Sequence, residues 1–147
     1  MAVLDIRGAN IVQRQGGNPI SASECWELLK GEVVGRLALS LRALPAILPV
    51  QYYVDGEDLA ICLGHHEIPH QAVDGTVVAF AADSIDAPTR VGWTVQVLGI
   101  TRVPRPIGMP TDCGQPIVGQ IVHLRPAKVT GFSIRLCPFV SPHHDWS

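Results

Sequence analysis

The hydrophobic period of this chain changes once, near residue 34, and does not change back. Before that point one helix is legible. Ser21-Ala-Ser-Glu24 fits the Ser-x-x-Glu capping box, in which the serine side chain accepts from the glutamate amide and the glutamate reaches back to the serine amide. The spacing predicts a helix to about Lys30, ended by Gly31 as its C′ residue, with Cys25, Leu28 and Leu29 on its apolar face. Beyond it the period is two. Leu37, Leu39 and Leu41 alternate with smaller or polar residues through Gly35–Leu41, the pattern of a half-buried strand. Further strands are expected over Ile47–Val54, Leu59–Leu63, Thr76–Ala82, Val91–Val103, Ile117–Leu124 and Val129–Leu136. Asp55-Gly56 is a hairpin signal, and Gly99 is the expected bend in the long fifth strand. Pro45 and Pro49 predict that the second strand is irregular or lies at an edge. Pro69–Asp74 reads as one short helix with the proline at its first position.

Strands that come in runs, without long helices between them, exclude a doubly wound parallel sheet. An antiparallel barrel is the natural closure for about seven strands, because it leaves no open edges. The length of 147 residues suits one domain. The expected division is an arm over residues 1–20, a barrel over 21–137 and a tail over 138–147. A proline- and glycine-rich connection runs from Pro104 through Pro116.

Composition narrows the partners. Apolar residues make up 47% and charged residues 16%, against about 25% charged in an average domain. A small domain with so few charges is expected to hide part of its surface against a partner. Eleven basic residues face thirteen acidic ones, a formal net charge of −2, which argues against nucleic acid. Nothing approaches the ~18–20 apolar residues of a membrane span, and Asp5 and Arg7 interrupt the apolar start, so no membrane and a cytoplasmic location are expected. The four cysteines, Cys25, Cys62, Cys113 and Cys137, form no Cys-x-x-Cys knuckle. They are expected to be free and mostly buried, with Cys62 and Cys137 as inert core thiols.

His66-Glu67-Ile68-Pro69-His70 matches the zinc-protease pattern His-Glu-x-x-His. That chemistry needs both imidazoles on one helical face. Pro69 denies it, because proline breaks a helix interior and drives Ile68 out of the α region. No metal site is therefore assigned. Two readings of His65, His66 and His70 stand. They form an anion site at the start of the short helix, or they belong to a polar loop closing the barrel. Trp93 is a core or interface aromatic, or a ring lining a cofactor site. Tyr52 and Tyr53 are adjacent on a strand, so one should face inward and the other outward. No nucleophile elbow, phosphate loop or triad spacing is present, and no side chain is assigned a catalytic role.

The order of these pieces resembles a known family. A capped helix, Glu24-Cys-Trp-Glu-Leu-Leu29, leads into Val34-Gly-Arg-Leu-Ala38. Leu48-Pro-Val-Gln-Tyr52 follows, then the Asp55-Gly56 hairpin, Leu59–Gly64, a short helix, Val77–Asp83 and Gly92-Trp-Thr-Val-Gln-Val-Leu-Gly99. Over about residues 21–137 the chain is similar to the pyridoxamine 5′-phosphate oxidase-like family of flavin-binding split barrels. The resemblance implies a mainly β fold, a six- to seven-stranded antiparallel split β-barrel with a few short helices. It also implies a homodimer that carries FMN, or in some relatives F420 or haem, at the dimer interface and acts on a small-molecule substrate. The isoalloxazine would lie along the second and third strands, at Pro49, Val50, Gln51 and Tyr52 facing Cys62, Leu63 and Gly64, with Trp93 nearby. Members that hold FMN tightly place an arginine at the end of the third strand and a lysine or arginine at the start of the next helix. This chain has neither residue type between Arg42 and Arg90. His65, His66 and His70 stand there instead, with Arg36 or Arg90 as charged help for a phosphate. Two functions follow: an FMN- or F420-dependent oxidoreductase, or a non-catalytic split barrel with an eroded flavin site that holds haem or another ligand through histidines.

Overall fold

The structure is a computed structural model and describes residues 17–64, 68–104 and 121–137. In chain order its elements are β1 (Asn18–Ile20), α1 (Ala22–Lys30), β2 (Val34–Leu41), β3 (Leu44–Asp55), β4 (Asp58–Cys62), α2 (His70–Val73), β5 (Val77–Ile85), β6 (Val91–Arg102) and β7 (Ile121–Arg135). All pairings are antiparallel. The sheet order is β1-β7-β4-β3-β2-β5-β6, and β6 returns to pair with β7. Six strands therefore close into a barrel, with β1 as a short appendage on β7.

The closure is split. On the edge of β7 away from β6, Ile121–Leu124 pairs with β4 and Gly131–Ser133 pairs with β1. The stretch between them has only β6 beside it among the described residues. Helix α1 packs over β7 and β3. Ser21 caps α1, its Oγ accepting from the Glu24 amide at 3.3 Å. Cys25 and Leu29 are fully buried. Gly31 ends the helix in a right-handed conformation, φ −83°, so its expected left-handed C′ geometry does not occur. The Tyr52 hydroxyl, reaching up from β3, donates to the Leu29 carbonyl at 2.6 Å, which also accepts from the Glu32 amide at 3.3 Å.

The barrel core alternates as the pleat requires. Leu37, Leu39, Val50, Tyr52, Leu59, Ile61, Phe80, Val95, Val97, Val122 and Leu124 are buried, and Tyr52 meets Phe80 edge-on at 4.8 Å. Gly35 is required here, because a Cβ would overlap the Phe80 ring. The bend at Gly99 is a register shift between Leu98 and Gly99. A Cβ at Gly99 would overlap the Arg125 carbonyl oxygen on β7.

One expectation needs correction. The last two expected strands are one, β7, running through Pro126. Pro126 lies in the stretch where β7 has a strand on one side only among the described residues. Within the segment 1–20, Asn18–Ile20 is a strand that pairs with Gly131–Ser133. The turn between β2 and β3 is a tight two-residue hairpin, Arg42-Ala43, with both φ positive at 51° and 64°. The type I′ geometry that fits such hairpins favours asparagine and glycine, so neither residue signals the turn.

Candidate functional site

Strand β3 decides which residues share a surface. Val50 and Tyr52 are buried, whereas Pro49, Gln51 and Tyr53 are exposed. The two tyrosines therefore divide as expected, Tyr52 inward and Tyr53 outward. Of the expected ring-binding residues, Pro49, Gln51 and Cys62 come together on the outer face, while the side chains of Val50, Tyr52 and Leu63 belong to the core. Burial, with the carboxylate of Glu32 as a lesser influence, pushes the Tyr52 phenol up to about 12. Gly64 follows β4 with φ 61°, a conformation that glycine takes without strain. Trp93 is half-buried against the core and does not line the outer face with Gln51.

The outer face of β4 is a groove. Its outward residues are Asp58, Ala60 and Cys62, and the larger residues of β3 and β7 flank them. Gln51, Cys62 and Ile121 form one row across the three strands; Tyr53, Ala60 and His123 form the next. Small residues on the central strand make a low floor, and Ala60 is 1% exposed although it faces outward. Val33, Gln51, Tyr53, Ala60, Cys62 and Ile121 enclose a cleft of about 310 Å³. Ile121 and His123 were not recognised in the sequence. They lie about sixty residues beyond β4, and only the β4–β7 ladder brings them there.

The histidine segment falls partly outside the described residues. His65, His66 and Glu67 lie there, as do the side chains of His70 and Gln71. Pro69 stands immediately before α2, its carbonyl accepting from Ala72 at 2.9 Å. Among the described residues no group of three metal-ligating side chains occurs. Helix α2 is pinned to the end of β6: Thr76 Oγ1 donates to the Ala72 carbonyl at 2.9 Å, and Asp74 Oδ1 accepts from the Val103 amide at 3.1 Å.

The two arginines named as charged help separate. Arg36 is exposed on β2, paired with Pro49 and therefore on the face of Gln51. Arg90 lies in the β5–β6 turn, at the end of β5 away from α2. The length of β5, about 30 Å at ~3.3 Å per residue, separates Arg90 from α2, whereas Arg36 pairs with Ala81 midway along it. Asp86 orders that turn, its carboxylate accepting from the Thr89 amide and hydroxyl, and these hydrogen bonds hold it below the usual carboxylate range.

The cysteines also depart from expectation. Cys25 is fully buried, and that burial raises its pKa, so it is an inert core thiol. Cys62 is half-buried in the groove floor and Cys137 is exposed, so neither is a core thiol. Cys113 lies outside the described residues. No helix among the described residues is long and apolar enough to cross a membrane.

A closed ring of six antiparallel strands, split along one edge and carrying a groove on its outer face, defines a split β-barrel protein. The sequence model of the family described as pyridoxamine 5′-phosphate oxidase matches residues 21–108, more than half of the chain. The chain belongs to that family. The uncharacterized Mycobacterium tuberculosis protein Rv0080 is 34% identical over 96 residues, covering 56% of this chain and 63% of that protein. The chain thus spans less than two thirds of that relative's length. Among solved structures, a FAD-binding protein from Mycobacterium smegmatis superposes with a TM-score of 0.62 at 26% identity, covering 81% of this chain and 99% of the other. A FAD-binding protein from Mesorhizobium loti superposes with a TM-score of 0.60 at 22% identity, covering 80% and 96%, a likeness of fold alone.

Proposed function

We propose that this protein is a homodimeric flavin-binding oxidoreductase that holds the isoalloxazine of FMN, or of the larger FAD, over the outer groove of β4. The observation that carries the reading is the groove itself. A flat ring needs a low floor with walls, and Ala60 and Cys62 lie between Gln51 and Tyr53 on one side and Ile121 on the other. Gln51 presents both a donor and an acceptor at the wall, suited to the pyrimidine edge of a flavin. Family membership and the likeness to a FAD-binding protein at 26% identity support the choice of a flavin. F420 and haem remain the alternatives that the resemblance implied.

The same face argues for a second copy of the chain. Ile47, Val34 and Tyr53 are 68%, 53% and 57% exposed on neighbouring strands β2 and β3, the composition of a buried interface. A partner seated there would cover the open side of the groove and exclude water from the ring. Bound flavin would supply hydride or electron transfer to a small substrate. The chain would bind and orient it, which requires no catalytic side chain.

The visible absorption spectrum of the purified protein tests this reading. Flavin bands, or their appearance on titration with FMN or FAD, are the expected result. Ala60→Leu should fill the groove floor and weaken flavin binding at least thirtyfold while leaving the fold intact. Haem bands, or no binding of any flavin, reject the reading and favour the non-catalytic barrel. A monomer at micromolar concentration in sedimentation rejects the dimer.

A further inference from the structure

We propose that a second cavity, beside the groove, is an anion site built by Arg102, His123 and Arg125, and that it takes the phosphate or diphosphate of the nucleotide whose ring lies over β4. The second half of the proposal rests on the flavin reading above.

The cavity has a volume of about 510 Å³, and Asp58, Ile100, Arg102, His123 and Arg125 are among its lining residues. Its charge is assembled by register. Arg102 on β6 pairs with His123 on β7, and Ile100 pairs with Arg125. His123 and Arg125 are two residues apart on one strand, so they share a face at about 7 Å. Two guanidiniums thus reach one pocket from adjacent strands. Arginine matches phosphate oxygens in a bidentate fork and keeps its charge at every physiological pH.

The position is as informative as the charge. His123 also pairs with Ala60, so the cavity adjoins the groove floor across one ladder pair. Along β4 the outward residues run Cys62, Ala60, Asp58, from the cleft into the cavity. That path is about 13 Å at ~3.3 Å per residue, and it spans both a ring lying over Cys62 and Ala60 and the ribityl chain that carries the phosphate from it. The site flanks β4 on the β7 side, level with Ala60 and Asp58, and Arg102 reaches it from beside Gly75, just past α2. It supplies the cations that are missing between Arg42 and Arg90. Asp58 is the one acidic wall. Its carboxylate lies 3.8 Å from Arg125 Nε and competes for that guanidinium. Arg125 is 82% exposed and has room to turn toward a ligand.

The test is titration of the full chain with riboflavin, FMN and FAD, followed by flavin fluorescence, for the wild type, Arg102→Gln, Arg125→Gln and His70→Ala. Thermal stabilisation by pyrophosphate alone is measured in parallel. FMN should bind at least tenfold more tightly than riboflavin. That preference should collapse in both arginine variants and persist in His70→Ala, with riboflavin affinity unchanged throughout. Asp58→Asn should strengthen FMN binding two- to fivefold. A phosphate preference that survives Arg102→Gln and Arg125→Gln overturns the proposal, and its loss in His70→Ala alone returns the anchor to α2. If no flavin binds, the flavin reading fails and pyrophosphate decides the anion site by itself. Stabilisation that the arginine variants abolish upholds the site, and no stabilisation refutes it.

Discussion

The two halves of β3 have the same alternation and opposite surroundings. Among the described residues, 44–50 have β2 on one side and no strand on the other; residues 51–55 lie between β2 and β4. The Tyr52 amide donates to the Val33 carbonyl, toward β2, at 3.1 Å. Alternation then turns the backbone nitrogens of residues 45, 47, 49, 51 and 53 the other way. In the first half that direction is open, and there Pro45 and Pro49 lose no ladder bond. In the second half it faces β4, and the residues are Gln51 and Tyr53. The expected edge strand is thus an edge over half its length and interior over the rest. The one-sided half exposes apolar side chains, and the two-sided half builds a wall of the groove.

Moving a proline across the midpoint of β3 should produce the largest effect. Tyr53→Pro removes an amide that faces β4 and should cost about 3 kcal/mol or more. Ile47→Pro removes one that faces no strand and should cost under about 1 kcal/mol. Denaturant unfolding of the two variants checks the contrast, and equal losses would contradict the assigned amide directions.

Tyr52 sharpens the comparison, because it couples the two-sided half to α1. Tyr52→Phe deletes the hydrogen bond to the Leu29 carbonyl and should cost about 0.5–1.5 kcal/mol, the net worth of one hydrogen bond, because the Glu32 amide still serves that carbonyl. The phenol also makes stability depend on pH. Its folded pKa of about 12 lies above the ordinary value near 10, so the fold favours the neutral form. That contribution is fully present below pH ~10 and is lost as pH rises toward about 12. It amounts to roughly 2–3 kcal/mol. Thermal melts between pH 9 and 12 should show this loss in the wild type and a smaller one in Tyr52→Phe.

The smallest effect is expected at the turn that begins the one-sided half. Arg42 and Ala43 both occupy the left-handed region, which costs an L-residue roughly 1–2 kcal/mol. Replacing the pair with Asn-Gly should raise stability by about 1 kcal/mol. The same change at Gly56-Glu57, where glycine already takes φ 62°, should do little.

Much of the fold was legible because its signals are local. A capping box and a run of alternating leucines depend on residues within one turn or one pleat. So do α1, the Asp55-Gly56 hairpin and the bend at Gly99. The Arg42-Ala43 hairpin was not legible, because its geometry is imposed by the ladder from Val34↔Gln51 to Leu41↔Leu44 and not by turn residues. The site was legible in part for the same reason. Consecutive residues on β3 and β4 looked like one binding strip, and the pleat then sent Val50, Tyr52 and Leu63 into the core.

What the sequence alone determined is the set of strands, their alternation and the absence of lysine or arginine between Arg42 and Arg90. Tertiary structure decided which strands stand side by side. It set β7 against β4 and β6, and so brought Ile121 to Cys62, His123 to Ala60 and Arg102 to His123. Those neighbours are separated by about twenty to sixty residues of chain. Strand pairing over such separations is chosen by closure of the whole barrel around one core, a condition that no local stretch of sequence carries.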